Sequence, residues 1–303
     1  MEFTPILPSD FSRLKKYFEE QKYRLSAYSP SSIIVWSNNI YKAEYVLDGD
    51  TLIISNRCIT RPGESYLLLP ISQRRNYSPS DLRDLARKAE LDTYWYVPQE
   101  YLEEHESEIR LLFQVTEQPE LEEYLYKTKD LALLRGNRYA SKRNWVNRFE
   151  KDFAGRILIE PIVSDAISEC LLFLEDWCRA FPCSPELNES LYCEKQATIN
   201  ALKALETLNL NGILIRINGY VEAFAISSGL TKDIGVLSFE KARSDIKGLY
   251  QFLDRECARR LFPNYQFINK ENDMGLPGLA QSKQSYHPIE KIKSYRLTLK
   301  SNY

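Results

Sequence analysis

A hairpin signal occurs twice in this chain, and the elements that come after it recur at nearly the same distance. Asp48-Gly49 and Asn218-Gly219 each separate two β-rich runs, and the two turns lie 170 residues apart. A dipeptide of this kind between alternating apolar runs is the strongest short-range sign of a hairpin, because its residues accept positive φ. The next β-rich runs begin near 66 and 234, and the ones after those near 94 and 265, offsets of 168 and 171. The same element order at a near-constant offset predicts an internal structural duplication. Each copy reads as helix, three antiparallel strands, helix, strand, helix, strand. That predicts an α+β fold with one mixed, mostly antiparallel sheet per copy, flanked by helices.

In the first copy, residues 9–20 have helical spacing, and residues 33–36, 41–47, 51–55, 66–69 and 94–97 read as strands. Residues 80–88 read as a helix capped by Ser80. In the second copy, residues 164–179 and 189–205 are helical by period, and 213–218, 220–227, 234–239 and 265–268 read as strands. Ser244 is a possible cap for a helix running to about Arg260, residues 275–284 are helical in outline, and 292–299 alternate like an edge strand. The expected division is an N-terminal domain over 1–125, a basic connecting helix over 126–152 and a C-terminal domain over 153–303.

Composition removes several function classes. Lys and Arg number 40 against 42 Asp and Glu, so the net charge of −2 argues against a wholesale polyanion binder. No apolar run reaches the ~18 residues of a membrane span. The N-terminus Met1-Glu2-Phe3-Thr4-Pro5 lacks the pattern of a secretory signal, so the six cysteines are expected reduced, in the cytoplasm. Only His105 and His287 are present and no C-x-x-C pair occurs, so a metal site is not expected. No Gly-rich nucleotide fingerprint and no G-x-S-x-G is present, which removes support for nucleotide hydrolysis, dinucleotide redox chemistry and α/β-hydrolase chemistry.

Three segments carry the chemistry. Residues 127–152 hold eight cations and three anions, a net +5 that leaves −7 for the rest of the chain. At about 100° per residue, Leu131, Leu134, Trp145 and Phe149 share a helical face with Arg138 and Lys142 in its middle. A cation on an apolar stripe needs a partner. It could be a carboxylate from either half, with the helix cementing the two, or an anionic ligand such as a phosphate. The second segment runs from Glu240 through Lys241, Ala242, Arg243, Ser244, Asp245, Ile246, Lys247, Gly248, Leu249 and Tyr250. A strand end leading into a helix N-terminus can hold a pyrophosphate, with Lys247 adding charge and Gly248 allowing close approach; a plain capped helix fits the same residues. The third runs from Asn269 through Lys270, Glu271, Asn272, Asp273, Met274, Gly275, Leu276, Pro277, Gly278 and Leu279 to Lys283, Gln284, Ser285, Tyr286, His287 and Pro288. It comes after a strand, at the place where open sheets bind ligands.

Together these segments resemble the phosphatidylglycerol lysyltransferase C-terminal domain family. The matching residues are 126–149, notably Gly136, Tyr139, Lys142, Arg143, Asn144, Asn147, Arg148 and Phe149, then Glu240-Lys241-Ala242, Ile246 to Gln251, and 269–288. The resemblance implies two tandem GNAT-like acyltransferase domains and an acyl or aminoacyl transferase. The donor would be acyl-CoA or aminoacyl-tRNA, without a metal, and the acceptor an amine or hydroxyl on a small or lipid-like molecule. The pyrophosphate loop of GNAT enzymes falls on Arg243, Lys247, Gly248, Leu249 and Tyr250, with Tyr250 standing at the second glycine position. Acyl transfer needs a base, an oxyanion donor and an acid. Glu240 is the expected base, and Lys283 or Tyr286 the acid. Asn269, Glu271 and Asp273 are expected to hold a cationic amino group, and Arg138, Lys142 and Arg143 donor phosphates or tRNA. One active site is expected, in the second half. The alternative is a non-catalytic nucleotide- or tRNA-binding protein on the same scaffold.

Overall fold

A computed structural model describes residues 1–181 and 183–300. The chain folds into two compact units. The first comprises Met1–Glu123, Asn272–Leu276 and the C-terminal stretch from Lys291; the second comprises Tyr124–Glu271 and Pro277–Glu290. The division therefore differs from the chain-order expectation. Residues 126–152 belong to the second unit instead of standing between the two, and the C-terminal residues return to the first.

The first unit is built on a mixed sheet in the order Thr4–Pro5, Tyr41–Asp48, Thr51–Cys58, Tyr66–Leu67, Thr93–Pro98, Ser294–Leu299, Phe113–Glu117, with Ile71–Ser72 also paired to Thr51–Cys58. Its expected hairpin forms, with Asp48 opposite Thr51 and Gly49 at φ 63°. Residues 33–36 are not a strand. They lie in and just beyond the helix Pro30–Val35, where Ser29 accepts a hydrogen bond from the Ser32 N–H and Pro30 opens the first turn. Cap and proline outweigh the β-branched run that suggests a strand. The helix expected from Ser80 is Pro79–Ala89, capped by Ser78 in a capping box with Asp81, while Ser80 bonds Glu108. The region of residues 9–20 is helical only in short turns around Phe11–Leu14. The strand Ser294–Leu299 is interior, between Thr93–Pro98 and Phe113–Glu117, not an edge.

The second unit carries a mixed sheet in the order Glu290–Ile292, Glu123–Lys127, Phe267–Asn269, Ile234–Ala242, Tyr220–Gly229, Asn211–Ile217, Ile157–Pro161. Asn218 and Gly219 form the second hairpin turn, at φ 54° and 89°, with Ile217 opposite Tyr220. One parallel pairing is short. Ile234–Ala242 meets Phe267–Asn269 only from Ile234 to Val236, and then runs on to Ala242 without that neighbour. The helices Ile167–Arg179 and Glu189–Lys203 and the helix Leu249–Arg260 complete the unit. Its core gathers Tyr124, Tyr126, Val146, Phe149, Leu249, Leu253, Cys257 and Ile268.

The basic segment is not one helix. Thr128–Leu133 ends at Leu134, φ 48°, followed by Gly136 at φ 90°, and a second helix spans Ala140–Asp152. The break changes the phase of the stripe. Leu131, Leu134 and Phe149 are buried as expected, but Val146 replaces Trp145, which is exposed.

Candidate active site

The end of Ile234–Ala242 places Glu240 and Lys241 on opposite faces of the sheet, as the two-residue period of a strand requires. On one face Lys241 is buried, its ammonium 2.7 Å from Glu194 and 4.2 Å from the centre of the Trp177 ring. On the other, Glu240 Oε2 lies 2.6 Å from the Nζ of Lys270, which also pairs with Asp254 from the helix Leu249–Arg260. Glu240 Oε1 is buried without a hydrogen-bond partner among the described residues. Two carboxylates thus converge on one ammonium.

The third segment wraps around this pair. Asn269 is fully buried, and its Oδ1 accepts the Glu271 N–H at 2.7 Å, holding Glu271 at φ 55°. Lys283 donates to the backbone oxygens of Lys270, at 2.5 Å, and of Glu271, at 3.2 Å. Tyr126 donates to the Lys283 carbonyl and Tyr139 to that of Tyr286, which tie the turn down. The Tyr286 ring lies against the Lys270 ammonium, and its hydroxyl is buried beside Asp254. Lys142 reaches in from Ala140–Asp152, donating to Ser285 Oγ at 2.6 Å with its ammonium over the Tyr286 ring.

Burial and charge tune these groups. Burial and the nearby Asp254 push Glu240 up to about 7 despite the Lys270 ammonium. Burial and the same ammonium push Lys283 down to about 8, with Glu271 and Glu240 opposing. Burial disfavours the Lys270 charge, but Asp254 and Glu240 outweigh it and hold the ammonium protonated. Burial and then Asp254 push the Tyr286 hydroxyl well up. A carboxylate and an amine that both titrate near neutrality, around a fixed cation, can accept and donate protons in one turnover.

Of the sequence-derived residues, Glu240, Lys283, Tyr286, Lys142, Asn269 and Glu271 therefore come together. Arg138 stands apart, half exposed and paired with Asp130 of its own segment. Arg143 caps the helix break, donating to the carbonyls of Leu134 and Gly136. Asp273 lies in the stretch that belongs to the first unit, where its Oδ1 accepts the Gly275 N–H.

The loop before Leu249–Arg260 has its own geometry. Arg243 is exposed and paired with Asp245, and Lys247 is exposed. Leu249 is buried in the core, and Tyr250 accepts a hydrogen bond from the Trp177 indole. Gly248 sits at φ 88°, and a Cβ there would come within 2.5 Å of the Trp145 carbonyl oxygen. The glycine lets one helix pack on another, a requirement that in the sequence alone reads as room for a phosphate. The helix starts at Gly248, with no cap from Ser244.

Sequence reasoning misses Asp254 and passes over Lys270. The available signal is an acidic residue within the buried face that Leu249, Leu253 and Cys257 define. Among the described residues no group of His, Cys, Asp and Glu is arranged to hold a metal ion. No helix among them is long and apolar enough to cross a membrane.

Comparison with known proteins identifies the fold and the family. An uncharacterized protein of Mycoplasmoides gallisepticum is 25% identical over 177 residues, 57% of this chain and 54% of its own. The chain thus matches about half the length of that curated relative. A Bacteroides thetaiotaomicron protein of unknown function superposes with a TM-score of 0.89 at 27% identity, covering 99% of this chain and all of its own. L-PGS from Bacillus licheniformis superposes at 0.65, with 13% identity over 96% of this chain and 92% of its own. FemX does so at 0.59, with 10% identity over 98% and 97%. The fold, two units that each carry a mixed sheet flanked by helices, is shared with these structures. The sequence matches the family described as phosphatidylglycerol lysyltransferase, C-terminal, over residues 22–298, and the chain belongs to that family.

Proposed function

We propose that the chain is an aminoacyl transferase that moves an aminoacyl group from tRNA to an amine or hydroxyl acceptor, with its site in the second unit. The observation that carries this reading is the cluster of Glu240, Lys270, Lys283 and Tyr286 at the end of a central strand, with Lys270 and Tyr286 buried and the other two half-buried. The acceptor N or O attacks the ester carbonyl carbon and passes its proton to Glu240. The ester C–O bond breaks, and the released ribose oxygen takes a proton from Lys283. Tyr286, which keeps its proton through the working range, donates to the oxyanion. Glu271 and Asn269 hold the amino group, and Lys142 meets the donor's phosphates. The family's description names a lysyl transfer, and L-PGS of B. licheniformis falls in line with it, which favours an aminoacyl donor.

Acyl-CoA is the second reading, because Lys247 and Gly248 stand where GNAT enzymes hold pyrophosphate. Against it, the Cα face of Gly248 is taken by the Trp145 carbonyl. The test is thermal stability with CoA, acetyl-CoA and aminoacylated tRNA at low salt, since a ligand of the folded state raises the melting point. A rise with charged tRNA alone, falling steeply with salt, supports the proposal. A rise with CoA compounds alone overturns the donor. Turnover should vanish in Glu240→Gln with donor binding kept; unchanged turnover removes Glu240 from the base role. Binding of charged tRNA without any transfer would leave the non-catalytic reading.

A further inference from the structure

We propose that Asp254 and Lys270 are a positioning pair. Asp254 holds the Lys270 ammonium across the gap where two neighbouring strands part, and so fixes the place and the charge of Glu240. The inference rests on the reading of Glu240 as the base.

The gap comes from the sheet register. Ile234–Ala242 and Phe267–Asn269 run parallel, but their last partners are Val236 and Asn269. Lys270 is the first residue beyond that pairing, and Glu240 lies further along the other strand. The backbone pairing of the two strands has ended there, so the Lys270 side chain supplies the link. Its backbone is already fixed: its N–H donates to the Tyr124 carbonyl at 3.0 Å and its carbonyl accepts Lys283. Its ammonium then has two carboxylates, one on each side. Asp254 comes from a different element, the helix Leu249–Arg260, so the ammonium is pinned between helix and strand.

The pair also sets the charge. With both carboxylates ionised, the trio carries one net negative charge in a buried place, so a proton is readily held there. Other groups face Glu240 as well. Tyr126 comes from the strand Glu123–Lys127 and Lys283 from the helix Pro277–Gln284. Tyr286 comes just after that helix, Cys257 lies on the same helix as Asp254, and Tyr250 lies one turn before it. Glu194, paired with Lys241, adds its charge to Lys283 from beyond the sheet. Among these, Asp254 and Lys270 act with opposite signs on Glu240.

The test is a carbon-13 titration of the full chain labelled at glutamate carboxyls, with the Glu240 signal assigned by its loss in Glu240→Gln. The wild-type midpoint should fall near 7. Asp254→Asn should lower it by about one pH unit or more, because Lys270 then serves Glu240 alone, and Lys270→Met should raise it. Asp254→Glu, which keeps the charge, should return it toward the wild-type value and also serves if Asp254→Asn does not fold. Midpoints that stay put, or that move in the same direction in Asp254→Asn and Lys270→Met, overturn the proposal, since general loosening moves both alike. Turnover is read separately. Opposite shifts without aminoacyl transfer by the wild type leave the pair standing and remove the base role instead.

Discussion

Replacing Glu240 by Gln separates the cost of a buried charge from the chemistry it serves. Glu240 titrates near 7 in the folded chain, against 4.5 for an ordinary glutamate. Between those values the folded protein keeps a proton that the unfolded chain has lost. Stability therefore falls as pH rises through this window, at about 1.4 kcal/mol per pH unit, and the full cost at pH 8.5 is about 3 kcal/mol. Gln stands in for the protonated acid and cannot titrate. The difference in stability between variant and wild type should thus shift by about 3 kcal/mol in favour of the variant between pH 4.5 and 8.5. Lys283 titrates in both proteins and enters the difference only through the support that Glu240 gives its charge. The assay is native-state hydrogen exchange at central-strand amides such as Ala225, Ile226 and Phe239, corrected for the intrinsic pH dependence. The expected gain in protection at high pH is about a hundredfold. Parallel stability curves for the two proteins would refute the reasoning, because they would mean that Glu240 is not ionised at a cost in the fold.

The same geometry carries other expectations. Turnover should be bell-shaped in pH, rising as Glu240 loses its proton near 7 and falling as Lys283 loses its own near 8; a plateau up to pH 10 would remove Lys283 as the acid. Gly248→Ala should destabilise by about 2–4 kcal/mol, from the positive φ and the clash with the Trp145 carbonyl, as read by urea denaturation. A stable Gly248→Ala protein that has lost donor binding would restore the phosphate reading. Lys241→Met should cost about 2–4 kcal/mol by leaving the half-buried Glu194 without its ammonium, and Lys241→Met with Glu194→Leu should recover most of that in the same measurement. Ser78→Ala should cost about 1 kcal/mol through loss of the helix cap, seen in thermal melts.

Local signals are enough for the elements they govern directly. Asp48-Gly49 and Asn218-Gly219 specify their hairpins because the turn chemistry is contained in the two residues and their neighbours. The repeated element order, the helices Glu189–Lys203 and Leu249–Arg260 and the strand ending near Glu240 are likewise legible from spacing. Glu240, Lys283 and Tyr286 can be singled out because each ends a strand or closes a motif. What the chain cannot show locally is decided by packing between distant segments. The interior place of Ser294–Leu299 depends on strands some 180 and 200 residues away, Phe113–Glu117 and Thr93–Pro98, which no local pattern reports. Gly248 reads as a phosphate glycine in one dimension and as a contact with Trp145 in three. The joining of Glu240, Asp254 and Lys270 needs a strand, a helix and a strand exit to meet. Sequence period sets which face of each element is apolar, but only the tertiary fold decides which buried charge finds which partner, because that depends on a few ångströms between residues far apart in the chain.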